Sequence, residues 1–139
     1  MSPHFSTRVN DLHASPIREI LSVIDRPGMV SFAGGLPSVD SFPQFSLQDM
    51  PVDTLQYGPS EGEWALREQI AQELATQGLS CTPEQVLVLS GSQQGIDLVA
   101  KLFIDQGTPV AVESPTYLAA LQVFRFFGAR FAPYDAEAV

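Results

Sequence analysis

The stretch VLVLSGSQQG, residues 86–95, decides the fold. Its apolar start, Val86–Leu89, predicts a β-strand, and the small residues of Ser90–Ser92 follow directly. A helical pattern begins immediately after them. A turn of this kind presents unpaired backbone N–H groups at the positive end of a helix dipole. The stretch therefore predicts a seat for a phosphate group at the N-terminus of the helix.

Apolar runs and helical patterns alternate through the second half of the chain. Strands are predicted at Val86–Leu89, Pro109–Val112 and Arg130–Pro133, and helices at about 61–77, 93–105 and 116–127. The order β-α-β-α-β is typical of an α/β protein with a parallel sheet and right-handed crossovers. Because ligands bind at the carboxyl ends of parallel strands, Ser90–Ser92 and Glu113–Tyr117 are expected to form one site.

Composition excludes several classes of function. The net charge is −9 with only seven Lys and Arg, which argues against a nucleic-acid surface. The single cysteine, Cys81, excludes an intrachain disulfide and suits a cytoplasmic protein. No apolar run approaches the roughly 18 residues of a membrane span, and the N-terminus has no signal-peptide pattern. His4 and His13 lack the neighbours of a metal site, so no metal is predicted.

Each candidate motif also has an ordinary structural explanation. Ser90 or Ser92 could simply cap the helix, and Tyr117 could pack over the start of the next helix instead of stacking on a ligand ring. Gly35 could belong to an ordinary tight turn, and Arg18 could be a solvated charge on a first helix at about 15–25. The 86–95 stretch lacks the Walker lysine and the GxGxxG spacing, which disfavours a P-loop or a dinucleotide site.

Together the motifs carry a family resemblance. The chain resembles the N-terminal part of the fold-type I, pyridoxal-phosphate-dependent aminotransferases, in the subgroup with 2-aminoadipate and kynurenine aminotransferases and MocR regulators. The resemblance covers nearly all of the chain, and the motifs occur in the family's order and spacing. The matching strings are IREIL (17–21), SFAGGLP (31–37), QYGPSEGEWALRE (56–68), VLSGSQQGIDLVAKLF (88–103) and VESPTYLAALQVF (112–124).

The resemblance implies an α/β fold whose three-layer α/β/α major domain is incomplete here. Residues 1–50 would be the N-terminal arm, the first helix and the substrate loop of the small-domain part. Residues 51–139 would be the first, truncated part of the major domain, which binds pyridoxal 5'-phosphate. The intact parent would be a cytoplasmic homodimer.

The resemblance also implies roles at the cofactor. Gly91, Ser92 and Gln93 would hold its phosphate, and Tyr117 would stack on its pyridine ring. Tyr57 would reach across the dimer interface and donate its hydroxyl to the phosphate in the partner subunit.

On the substrate side, the resemblance implies that the backbone of Gly35 lies near the α-carboxylate. Arg18 would approach the substrate side chain. The intact parent would move an amino group between an amino acid and a 2-oxo acid. The alternative is an aminotransferase-like effector-binding domain of a MocR-type transcription regulator, which a preceding DNA-binding segment would mark; no such segment is expected before the family-like part here.

The family places its Schiff-base lysine further downstream than residue 139. Lys101 is the only lysine of the chain, and it lies about nine residues into a predicted helix, roughly 13 Å from the phosphate end. That position fits a charge on the helix face and not the Schiff-base residue. We therefore expect the chain to be an N-terminal fragment that has no catalytic residue and is inactive alone.

Overall fold

The computed structural model describes residues 4–12, 20, 23–24, 26–30, 32, 35–46, 48 and 50–134. Contacts divide the chain into two compact units, one of residues 1–35 with 90–139 and the other of residues 36–89. Most of the predicted first helix, including Arg18, lies outside the described residues. The predicted boundary between residues 50 and 51 refers to the intact family fold and stays a prediction.

Three helices and two strands form the regular structure of the described residues. They are α1 (Trp64–Thr76), α2 (Ser92–Phe103), β1 (Pro109–Glu113), α3 (Leu118–Phe126) and β2 (Arg130–Tyr134). Short 3₁₀ turns cover Thr7–Asp11, Val39–Ser41, Val52–Leu55 and Pro83–Gln85. None of the helices in the described part of the chain is long and apolar enough to cross a lipid bilayer.

The second half of the predicted β-α-β-α-β pattern is confirmed. Strands β1 and β2 are parallel and pair from Pro109 with Arg130 to Glu113 with Tyr134, and α3 is the crossover between them, as parallel neighbours require. Helix α2 packs on α3, as does the N-terminal 3₁₀ turn. Near the end of α2, Ala100 is completely buried. The register brings the carboxyl ends of both strands to one edge of the sheet.

The first predicted strand, Val86–Leu89, is wrong. The sheet of the described residues has two strands, and residues 86–89 belong to neither. The N–H groups of Val86 and Val88 donate instead to the carbonyls of Pro83, at 3.2 Å, and Glu61, at 2.9 Å. An apolar run favours extended backbone, but a ladder needs a neighbouring strand, and none of the described residues supplies one here.

Helix α1 starts at Trp64, later than the predicted residue 61, because a turn occupies the residues before it. The N–H of Gly62 donates to the carbonyl of Pro59 at 3.0 Å, and Gly62 has a φ of +98° that a helix does not tolerate. Its end agrees with the predicted residue 77 to within one residue: the helix ends at Thr76, and Gly78, which follows the C-cap Gln77, has a φ of +86°. A glycine in this left-handed conformation is the usual residue after a helix C-cap.

Candidate functional site

The start of α2 is built around Gly91. This residue is the N-cap, with φ +82° and ψ 164°, a combination that is essentially restricted to glycine. Neither Ser90 nor Ser92 occupies the N-cap position, so the structure does not support the explanation that a serine merely caps the helix. Because glycine has no side chain, the cap residue offers no side-chain oxygen to the N–H groups of the first helical turn.

The first turn of α2 keeps two backbone donors free. Within the described residues, no group accepts a hydrogen bond from the N–H of Ser92 or of Gln93, and both residues are exposed. The Ser92 hydroxyl also has no hydrogen-bond partner there. Three donors are therefore available at the positive end of a 12-residue helix. This donor set suits an anion with several oxygens, such as a phosphate.

Gln94, a residue that the sequence motifs do not single out, holds this turn from inside the helix. Its Oε1 accepts the N–H of Ser90 at 2.6 Å, and its own N–H donates to the Gly91 carbonyl at 3.2 Å. The signal was present in the sequence, because a Gln three residues after an N-cap often bonds back to the residues before the helix. This back-bond uses the Ser90 N–H and leaves those of Ser92 and Gln93 available.

Tyr117 lies beside the same helix start. Its hydroxyl oxygen is 3.5 Å from Oε1 of Gln93, a residue 24 positions earlier in the sequence. Tyr117 is 56% exposed at the start of α3, so more than half of its surface is open to a ligand. The structure thus brings together Gly91, Ser92, Gln93 and Tyr117, four residues that the sequence assigned to one site.

An open cleft of about 300 Å³ lies at the carboxyl ends of the two strands. Its walls are mostly apolar and come from residues 112–116, from α3 and from Phe131 and Pro133 of β2. Ser92 and Tyr117 are not part of its lining. The strand ends therefore form a cleft that includes Glu113–Thr116 of the predicted site, whereas the free donors at the start of α2 do not line this cleft.

Tyr57 belongs to the other unit, residues 36–89. It is 98% exposed, and its N–H donates to Oε1 of Gln56 at 2.8 Å. No described residue forms a hydrogen bond with its hydroxyl. A shallow cleft beside it is lined by Asp53, Thr54, Gln56 and Glu63. The predicted contact of the Tyr57 hydroxyl with a phosphate in a partner subunit stays a prediction.

The two predicted substrate residues differ in what can be described. Gly35 is exposed, has a φ of +56°, and has no atom within 4 Å of the place where a Cβ would stand. A ligand could therefore approach its backbone closely. Arg18 lies outside the described residues.

Within the described part of the chain, no three His, Cys, Asp or Glu side chains are grouped as a metal site would require.

Lys101 is a charge on the surface of α2, as the sequence predicts. Its Nζ is 2.5 Å from Oδ2 of Asp97, one helical turn earlier, and both side chains are exposed. Pairs at this spacing stabilise helices modestly. The ion pair accounts for Lys101 without a role in chemistry.

Comparisons with known proteins agree on one family. The family model described as aminotransferase class I and II matches residues 38–138. The 2-aminoadipate transaminase of Thermus thermophilus is 41% identical over 143 residues, which is 97% of this chain and 35% of the relative. The chain thus spans about a third of that relative's length. The probable rhizopine catabolism regulatory protein MocR of Rhizobium meliloti is 27% identical over 98% of this chain and 28% of its own.

A solved structure shows the same fold. LysN, the α-aminoadipate aminotransferase of Thermus thermophilus, was crystallised in complex with N-(5'-phosphopyridoxyl)-L-leucine. It matches with a TM-score of 0.77 at 39% sequence identity, over 95% of this chain and 33% of that chain. The fold of the chain is therefore a partial fold-type I aminotransferase fold, mixed α/β with parallel strands.

Proposed function

The chain belongs to the class I and II aminotransferase family, and on that basis we propose that the whole protein moves an amino group between an amino acid and a 2-oxo acid with pyridoxal phosphate. One observation carries the proposal: the free donors of Ser92 and Gln93 lie beside the exposed ring of Tyr117. Donors for an anion and an aromatic face for a planar ring are two of the features that this cofactor needs from a protein.

The residues present fit the cofactor's phosphate end. The N–H groups of Ser92 and Gln93 and the Ser92 hydroxyl would hold its oxygens, and the dipole of α2 would favour the negative charge. The ring of Tyr117 would stack on the pyridine ring. When bound, the cofactor supplies an electron sink for the amino-acid carbon that loses its proton.

Other roles extend to the substrate and the partner subunit. The exposed backbone of Gly35 leaves room for the substrate carboxylate, and Arg18 is assigned to the substrate side chain. The Tyr57 hydroxyl would donate to the phosphate held by the partner of a homodimer, as the family resemblance implies. Because Lys101 is paired with Asp97, we assign the catalytic lysine to the part of the relatives' length that this chain does not span.

The MocR relative supports a second candidate, an effector-binding domain of a transcription regulator. The two candidates differ in turnover. Supplied with pyridoxal phosphate and an amino-acid donor, an aminotransferase converts a 2-oxo acid into a new amino acid over many cycles. A regulatory domain binds an amino acid without forming net product. The much higher identity to the 2-aminoadipate transaminase, 41% against 27%, favours the enzyme.

We expect the whole protein to form product from a panel of amino acids with a 2-oxo acid, and the 139-residue chain to form none. The measurement is accumulation of the new amino acid, followed by borohydride reduction and mapping of the modified lysine. Turnover by the 139-residue chain with a stoichiometric adduct on Lys101 would refute this assignment. Binding of effector by the whole protein without turnover would favour the regulator.

Three variants of the whole protein test whether backbone or side chain holds the phosphate. Ser92→Ala removes one charge-assisted hydrogen bond and should weaken cofactor binding by about 1.5–3 kcal/mol. Gln93→Ala keeps its N–H and should cost little, whereas Gln93→Pro deletes the donor and should cost more. Cofactor titrations decide the matter. Equal losses in Gln93→Ala and Gln93→Pro would mean that the side chain holds the ligand.

A further inference from the structure

Arg67 ties together separate pieces of the unit formed by residues 36–89. It lies near the start of α1 and is half-buried. Its Nε donates to the Gly62 carbonyl at 3.1 Å, and its Nη1 donates to the Pro83 carbonyl at 3.0 Å. Its guanidinium also lies 5.2 Å from the centre of the Trp64 ring. One side chain thus joins the loop before α1 to the 3₁₀ turn after it.

The loop before α1 carries Tyr57 at its far end. It closes at Gly62, whose N–H donates to the Pro59 carbonyl at 3.0 Å. The neighbouring carbonyl of Glu61 accepts the N–H of Val88 at 2.9 Å. The loop of residues 57–62 is therefore anchored at its α1 end by two contacts from outside the loop, one from Val88 and one from Arg67.

The Tyr57 side chain has no comparable support of its own. It is 98% exposed, and no described residue holds its hydroxyl. The backbone of the 57–62 loop consequently sets where the Tyr57 side chain starts and the direction of its Cα–Cβ bond. Fixing this loop therefore fixes the point from which the hydroxyl reaches, while rotation about the side-chain bonds remains.

We propose that Arg67 is a positioning residue for Tyr57, which it serves by anchoring the 57–62 loop through the Gly62 carbonyl. The inference rests on the proposed role of Tyr57 as a donor to the cofactor phosphate of the partner subunit. Arg67 does not itself touch the cofactor. It lowers the entropy that the loop loses when the hydroxyl bond forms, because the loop is already held in the unbound protein.

The geometry calls for arginine in particular. Two carbonyls from segments 21 residues apart, those of Gly62 and Pro83, are reached by two nitrogens of one rigid plane. Lysine carries the same charge as a single flexible ammonium group and cannot reproduce this fork. Arg67→Lys therefore keeps the positive charge but no longer holds the Gly62 and Pro83 segments in a fixed position relative to each other.

A double-mutant cycle on the whole protein tests the proposal, with cofactor affinity as the measured quantity. Tyr57→Phe should weaken binding about tenfold or more, since it removes a bond to a charged group. Arg67→Lys should weaken it by at least about threefold, and the double variant should match Tyr57→Phe within about twofold, because Arg67 acts only through that hydroxyl. A purely structural arginine would give losses that multiply.

Arg125→Lys is the matched control. The Arg125 guanidinium lies 5.4 Å from the centre of the Phe131 ring and donates to no carbonyl among the described residues, so the affinity should not change. Arg67→Gln, which keeps a donor for one carbonyl, replaces Arg67→Lys if the latter does not fold.

Losses that multiply in the double variant, or an unchanged affinity in Arg67→Lys, would overturn the role of Arg67 and leave the proposed function standing. An unchanged affinity in Tyr57→Phe would overturn both Tyr57 and Arg67. Failure of the unmodified whole protein to bind pyridoxal phosphate would overturn the proposed function itself.

Discussion

Gly62→Ala should lower the free energy of unfolding of the whole protein by about 2–5 kcal/mol. Two costs add at this position. The φ of +98° is strained for any residue with a Cβ, and that Cβ would stand 2.5 Å from Cγ2 and 2.7 Å from Cβ of Val88. Val88 cannot turn away by rotation alone, because its own Cβ is one of the clashing atoms. The loop that carries Tyr57 would have to separate from residues 86–89.

Gly78→Ala is the matched control for this substitution. Gly78 has a φ of +86° and no atom within 4 Å of the added Cβ. The free energy of unfolding of Gly78→Ala should fall only by the cost of the strained backbone, about 1–2 kcal/mol. Urea unfolding of the two variants and the unmodified protein gives the comparison. If both variants lose the same stability, the crowding against Val88 has no energetic consequence and the packing described for this loop is wrong.

Gly91→Ala should weaken cofactor binding roughly a hundredfold, the equivalent of losing most of two charge-assisted hydrogen bonds. No atom lies within 4 Å of the added Cβ, so crowding is not the cause. The cause is the backbone: at φ +82° and ψ 164°, an alanine is strained and relaxes toward negative φ. That rotation turns the N–H groups of Ser92 and Gln93 away from their common target.

The distinguishing result is a loss of cofactor affinity in Gly91→Ala that Gly78→Ala does not show. Gly91→Ala should lose at least as much stability as Gly78→Ala, since both replace an uncrowded glycine at positive φ and the backbone angles of Gly91 are the more restricted to glycine. Only Gly91→Ala should lose cofactor affinity, measured by titration with pyridoxal phosphate. An affinity loss of equal size in Gly78→Ala would show that general destabilisation, and not the direction of the donors, weakens binding.

Local features of the fold followed from the sequence with good accuracy. Helix α2 is predicted at about 93–105 and lies at Ser92–Phe103, and α1 is predicted to end at about residue 77 and ends at Thr76. The parallel pairing of β1 with β2 also followed, because the helix between them leaves a parallel crossover as the expected connection. Helices are predicted well because each backbone hydrogen bond joins residues only four positions apart. A short stretch of sequence therefore contains both partners of every bond.

The failures involve partners far away in the chain. An apolar run marked Val86–Leu89 as a strand, yet the amide of Val88 bonds to the carbonyl of Glu61 and that of Val86 to Pro83. A run of apolar side chains favours extended backbone but does not indicate which segment of the chain will lie beside it. The same limit hid Arg67, whose two acceptors belong to a loop and a turn that sequence spacing does not connect.

The sequence by itself determined the membership in the aminotransferase family, the expectation of a phosphate site at the start of α2 and the expectation that Lys101 is not the Schiff-base residue. These depend on residue types in a short local pattern and on the order of motifs. Only the tertiary structure decided that Gly91 and not a serine caps α2, that Gln94 holds the turn, and that Tyr117 meets Gln93 across 24 residues. Those contacts depend on backbone angles and on packing between elements, which the chain adopts as a whole.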